Sequence, residues 1–130
     1  MSAGVFVPRL ARVALGVTMA WSLAACQLDA KIDTRETERA RLDLKNFESA
    51  LKMYHRKKGT WPTEQEGLAA VQRSGILIEL PKDPWGRPYH FAVENGIPVV
   101  TTLGRDGRPG GKGPDADLST QLAPVSARTP

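Results

Sequence analysis

The sequence predicts an α+β domain: one long N-terminal helix packed on a small antiparallel sheet, with a short second helix and an acidic, Gly-rich C-terminal loop. Three observations predict it. From Ala30 to Lys58 there is no Pro or Gly, and Ala40, Leu44, Phe47, Leu51 and Tyr54 recur at 4-3-4-3 spacings, which places them on one helical face. Asn95-Gly96 sits between two β-rich runs and is a strong two-residue hairpin signature. Leu103 to Leu118 holds seven Gly or Pro residues and three Asp, a composition that forbids helix, weakens strand pairing and gathers carboxylates in a turn.

In chain order, residues 1–25 read as a bacterial export signal. Arg9 and Arg12 form its basic start, Val13 to Ala25 its apolar stretch, and Ala24 and Ala25 precede the lone cysteine. Leu23-Ala24-Ala25-Cys26 resembles a lipobox, which makes Cys26 the expected site of lipidation: its thiol takes the acyl chains, and its small neighbours admit the peptidase. A free or buried thiol is the competing reading of Cys26. A membrane span competes with the signal, but the charge-free run from Val13 to Leu28 is shorter than the roughly 20 residues a bilayer requires. Gln27 follows the cysteine where an inner-membrane lipoprotein would carry Asp, so an envelope location facing the periplasm is expected, with the outer membrane favoured.

Residues 26–39 have only Ile32 to bury after the apolar stretch ends and are expected to form a charged helical stalk below the domain, which occupies residues 40–118. Gly59 stops the long helix behind Arg56-Lys57-Lys58, whose charge suits the negative end of a helix dipole. Thr63-Glu64-Gln65-Glu66 is a capping box with Pro62 before it, predicting a helix over Glu64–Arg73 against which Trp61 packs. Ile76 to Leu80 reads as an extended connector docked on the core. Asp83-Pro84-Trp85-Gly86 is a turn. Arg87–Glu94 alternates Tyr89, Phe91 and Val93 with His90 and Ala92 as a strand, and Ile97–Leu103 is its return, with Pro98 marking an edge or a strand start. Residues 119–130 have few anchors and read as a flexible tail.

At 130 residues the chain is one small domain plus what is removed or tethered, and such domains gain from a staple. Asp106, Asp115 and Asp117 can supply one, because carboxylates and backbone carbonyls in a concave turn form the all-oxygen setting that suits Ca²⁺. Three solvated turn formers are the alternative. The spacing is not that of an EF-hand, since Arg108 and Gly110 stand where ligands belong. The formal charge of +4 has its basic residues interleaved with acidic ones, with no basic stripe carrying aromatics, so nucleic acid is not an expected partner. His55 and His90 lie in no nucleophile or metal pattern, and Asp83 reads better as a turn cap than as an acid/base partner of Asp106. No enzyme is expected.

Five blocks, in order, carry a family resemblance: Leu51-Lys52-Met53-Tyr54, Gly59-Thr60-Trp61-Pro62-Thr63, Glu66-Gly67-Leu68, Asp83-Pro84-Trp85-Gly86 with Pro88-Tyr89, and the loop from Leu103 to Asp117. Together they make the stretch from Ala40 to Leu118 resemble the C-terminal domain of the major pseudopilin of bacterial type II secretion systems. The resemblance implies a pilin-like fold and calcium in the last block, held by the side chains of Asp106, Asp115 and Asp117 with the carbonyls of Leu103, Arg108 and Gly111. Lys112 stands where the family commonly has an acidic residue, which weakens the expected affinity. Other type II secretion subunits are the implied partners, with the membrane reached through the lipid and self-association open. The leader departs from the family. After Gly4 the chain reads Val5-Phe6-Val7-Pro8-Arg9, with Arg in place of the Glu at position five of a pseudopilin helix. Three readings follow: an accessory lipoprotein of the secretion apparatus, a pseudopilin with a degenerate leader, and a lipoprotein that reuses the domain outside secretion.

Overall fold

The computed structural model describes residue 4 and residues 18–122, with side-chain surroundings from Asp33 onward. The leader motif after Gly4, Arg9 and Arg12, the Cys26 side chain and residues 123–130 lie outside the described residues. The chain divides into two compact units, Met1–Ile32 and Asp33–Pro130, and the second contains the domain.

Helix α1 spans Thr18–Lys58, starting well before the expected Ala30. Nothing between Thr18 and Asp29 stops a helix: there is no Pro or Gly, and Ala and Leu favour the helical state. Among the described residues, no helix is long and apolar enough to cross a membrane. The predicted stripe is the buried one. Ala40, Leu44, Phe47, Leu51 and Tyr54 are all buried, joined by Ala50. Gly59 closes the helix, its N–H donating to the His55 carbonyl at 2.8 Å.

Helix α2 runs Gly67–Arg73, three residues shorter at its start than expected. The capping box is present: the Thr63 N–H and hydroxyl donate to Glu66 Oε2 at 3.1 and 2.9 Å, and the Glu66 N–H donates back to Thr63 Oγ1 at 3.3 Å. It closes a separate turn, because Gly67 takes φ +55°, a left-handed value that breaks the helical path where α2 begins. Trp61 lies on α1, its ring 4.3 Å from that of His55.

The sheet has order β1-β2-β3, all antiparallel, with β1 His90–Glu94, β2 Ile97–Thr102 and β3 Leu118–Ser119. Asn95 and Gly96 at φ +50° and +78° make the tight hairpin their identities predict, pairing Glu94 with Ile97. Pro98 is a strand-start residue of the central strand; β3 reaches only Thr101 and Thr102, so the missing N–H breaks no ladder on that side. Tyr89 and Phe47 meet edge to face at 5.0 Å, which seats the sheet on α1. The Tyr89 hydroxyl donates to Asp43 at 2.9 Å; burial, then this carboxylate, raise its pKa well above the usual phenol value.

Two boundaries move. The tail expected from Ser119 is anchored through Thr120 and Gln121: Thr120 is buried and exchanges hydrogen bonds with Val100, and the Gln121 N–H donates to Glu48 at 2.6 Å. The stalk expected to end at Arg39 already belongs to the domain from Asp33, which is ion-paired to Arg105.

Candidate functional site

The acidic loop rests on a floor built by the turn before β1. Asp83 is 4% exposed, and its carboxylate accepts three hydrogen bonds and faces one guanidinium. Oδ1 takes the N–H groups of Trp85 at 3.1 Å and Arg87 at 2.8 Å, and Oδ2 takes the Thr102 hydroxyl at 2.7 Å, with Arg87 Nε 3.6 Å away. Pro84 and Gly86 permit this tight return, in which the Asp83 N–H also donates to the Arg87 carbonyl at 2.7 Å. Asp83 is thus a turn cap, as its sequence context suggested, and in addition the tie between that turn and the end of β2.

Arg87 continues the chain of contacts. Its Nη2 donates to the carbonyls of Gly104 and Arg105, so the first residues of the loop are held from below. Gly107 is the residue this requires, since a Cβ there would collide with the Arg87 guanidinium. Arg87 Nε and Trp85 Nε1 are buried with no hydrogen-bond partner.

Above this floor each predicted ligand has its own partner. Asp106 Oδ1 accepts the Arg108 N–H at 3.0 Å, and Asp117 Oδ2 accepts the Gly110 N–H at 2.9 Å. Asp115 uses both oxygens on Arg105, taking Nε at 2.8 Å and Nη2 at 3.1 Å, while Arg105 Nη1 donates to Asp33 on α1 at 2.5 Å. Asp115 first, then Asp33, raise the pKa of the Arg105 guanidinium. Gly104 and Gly111 press against the Asp115 backbone; a Cβ at Gly104 would lie 2.7 Å from the Ala116 carbonyl oxygen. Leu103 is half-buried, whereas Arg108, Gly111 and Lys112 are exposed. Among the described residues, no group of three or more His, Cys, Asp or Glu side chains is gathered as for a metal ion. The donors fit a hard cation in kind, as carboxylate and carbonyl oxygens of one loop. Asp115 is the obstacle, because a guanidinium already holds both its oxygens. Sequence reasoning missed Asp33, Arg87 and Arg105, whose pairings span up to 72 positions and leave no periodic trace.

The two histidines lie elsewhere: His55 against Trp61, and His90 exposed on β1. The family model described as type II secretion system protein G matches residues 27–121, from just behind Cys26 to just past β3. The chain belongs to that protein G family. Among its relatives, the type II secretion system core protein G of Vibrio cholerae is 34% identical over 97 residues, covering 64% of this chain and 66% of that protein. The corresponding protein of Pseudomonas aeruginosa is 32% identical over 121 residues, covering 82% and 84%. The crystal structure of the major pseudopilin from the type 2 secretion system of enterohaemorrhagic Escherichia coli matches with TM-score 0.58 at 25% identity, covering 71% of this chain and 91% of that one. The protein G fold therefore accounts for α1, α2 and the three-stranded sheet together, and the pilin-like expectation holds.

Proposed function

We propose that this chain is a non-catalytic pseudopilin-like subunit of a type II secretion apparatus, held in the cell envelope by lipid on Cys26 and facing the periplasm, with the outer membrane favoured. The observation that carries the reading is that the family match begins at Gln27, directly behind Leu23-Ala24-Ala25-Cys26. In this reading the domain presents its sheet and acidic loop to other secretion subunits and works by contact. Intact-mass analysis of membrane-extracted protein tests it. A chain starting at Cys26 with the added mass of acyl groups, lost in Cys26→Ser, is the expected result. An unmodified chain overturns the anchor.

Calcium is part of the proposal. Asp106, Asp115 and Asp117, with carbonyls of Leu103, Arg108 and Gly111, would hold it, and the bound ion would supply closure of a loop too rich in Gly to bury its own surface. The measurement is thermal melting across a calcium titration. The melting temperature is expected to rise with calcium and to lose that rise in Asp117→Ala; a flat titration removes the ion from the account.

A second reading has one observation in its favour. The backbone of α1 runs without a break through Cys26, as in a pseudopilin whose N-terminal helix is retained. Cleavage after Gly4 with an N-methylated Val5, found in the same mass measurement, would establish it in place of the lipid anchor.

A further inference from the structure

The loop from Leu103 to Leu118 carries its own neutralising charge. Asp106, Asp115 and Asp117 are matched in number by Arg105, Arg108 and Lys112, so the stretch has no net charge. Affinity for a hard divalent ion rises with the number of anionic ligands, and a loop closed by such an ion alone would keep an excess of carboxylate. Adding a divalent ion here makes the stretch net positive.

Arg105 is the cation that the geometry places among these carboxylates. Its backbone N–H donates to the Pro114 carbonyl at 3.0 Å, and its guanidinium grips the next residue, Asp115, with Nε at 2.8 Å and Nη2 at 3.1 Å. The two limbs of the loop are thus fastened by main chain and side chain together. The remaining nitrogen, Nη1, reaches out of the loop and donates to Asp33 on α1 at 2.5 Å. The Arg105 side chain is 46% exposed, and an isolated ion pair at that exposure contributes little. A bidentate fork that also bridges a second carboxylate is different, because one rigid group fixes three positions at once. Its charge also persists at every pH at which the carboxylates are ionised.

The surroundings are shaped to this grip. A Cβ at Gly104 or Gly111 would collide with the Asp115 backbone, while Arg87 Nη2 holds the Gly104 and Arg105 carbonyls from below. Asp115 is therefore fixed in backbone and side chain, with both carboxylate oxygens engaged.

We propose that Arg105 is the resident cation of this loop: its guanidinium closes Asp115 onto the opposite limb, and a divalent ion gains Asp115 only by displacing it. Once displaced, Arg105 keeps Asp33 alone, so the link from Asp115 to α1 and the hold of Asp115 on an ion exclude each other. The closure stands on the chain's own residues; only the displacement rests on the calcium reading.

The test is nuclear magnetic resonance on the nitrogen-15-labelled full chain, extracted from membranes into detergent, reading the Arg105 Nε–H signal and hydrogen exchange at the Arg105, Asp115 and Ala116 amides. With a calcium chelator present, the Nε–H is expected to exchange slowly. Arg105→Gln is expected to speed exchange at the loop amides about tenfold while the Val100 amide, bonded to Thr120 Oγ1, keeps its protection and shows that the domain is folded. Loop amides in that folded variant as protected as in the parent overturn the proposal. So does an Nε–H in the parent that exchanges as fast as in free arginine, a measurement that needs no variant to fold. Calcium is then added at millimolar concentration. Renewed protection of the loop amides in Arg105→Gln, with loss of Nε–H protection in the parent, supports closure and displacement together. Amides of the variant that stay fast in calcium end the calcium reading and leave Arg105 as the closure. Calcium taken up by the parent in calorimetry with Nε–H protection intact refutes the exchange at Asp115, and the proposal with it.

Discussion

Asp83 shows how one side chain can decide where a loop sits. Its buried carboxylate gathers two backbone N–H groups, a hydroxyl and the flank of a guanidinium, so removing it strands several donors at once. Asp83→Ala is expected to lower the unfolding free energy by roughly 3–5 kcal/mol in denaturant titration, and Asp83→Asn by less, since the amide oxygen keeps one acceptor. Glu66 makes a milder prediction. The Thr63 N–H, then its hydroxyl, hold the Glu66 carboxyl below its ordinary 4.5. A depressed folded value means that the stabilisation is present above that ordinary value and is lost as pH falls through the folded one. Glu66→Gln should therefore melt below the parent protein at neutral pH, and the gap should close in acid. A gap that widened in acid would contradict the assignment.

At the scale of elements, α1 and the hairpin were legible because their rules are local. A 4-3-4-3 stripe needs only neighbouring turns, and Asn95-Gly96 needs only the two residues that adopt positive φ. Strand β3 was not legible, being two residues long, with Leu118 and Ser119 paired to Thr102 and Thr101 far back on β2. Nor could the run Ile76–Leu80 say which of its side chains face outward, because hydrophobicity alone carries no direction over so short a span. The acidic loop was half legible: Asp106, Asp115 and Asp117 do share one loop, but the cation that reaches Asp115 is Arg105. This arrangement yields its own prediction. Arg105→Ala should lower the melting temperature without calcium, since the link from Asp115 to Asp33 goes. On the proposed calcium reading it should also tighten binding of the ion by titration calorimetry, because the guanidinium no longer competes for Asp115. Weaker binding in that variant would mean that Arg105 supports the ion site and does not oppose it.

At the scale of the whole molecule, long-range ties among the described residues unite helix, sheet and loop. Phe47 and Tyr89 seat the sheet on α1, Arg105 joins the loop to Asp33, and Glu48 takes the Gln121 N–H beyond β3. A chain cut after Asp117 keeps the hairpin but loses β3 and the Thr120 pair with Val100. It is expected to unfold at lower denaturant than the full chain, with a steady loss of cooperativity in circular dichroism. The same Thr120 bond has a temporal side. Val100 waits for a partner that is synthesised twenty residues later, so a nascent chain grown only as far as the hairpin still lacks the bonds that tie Thr120 to β2.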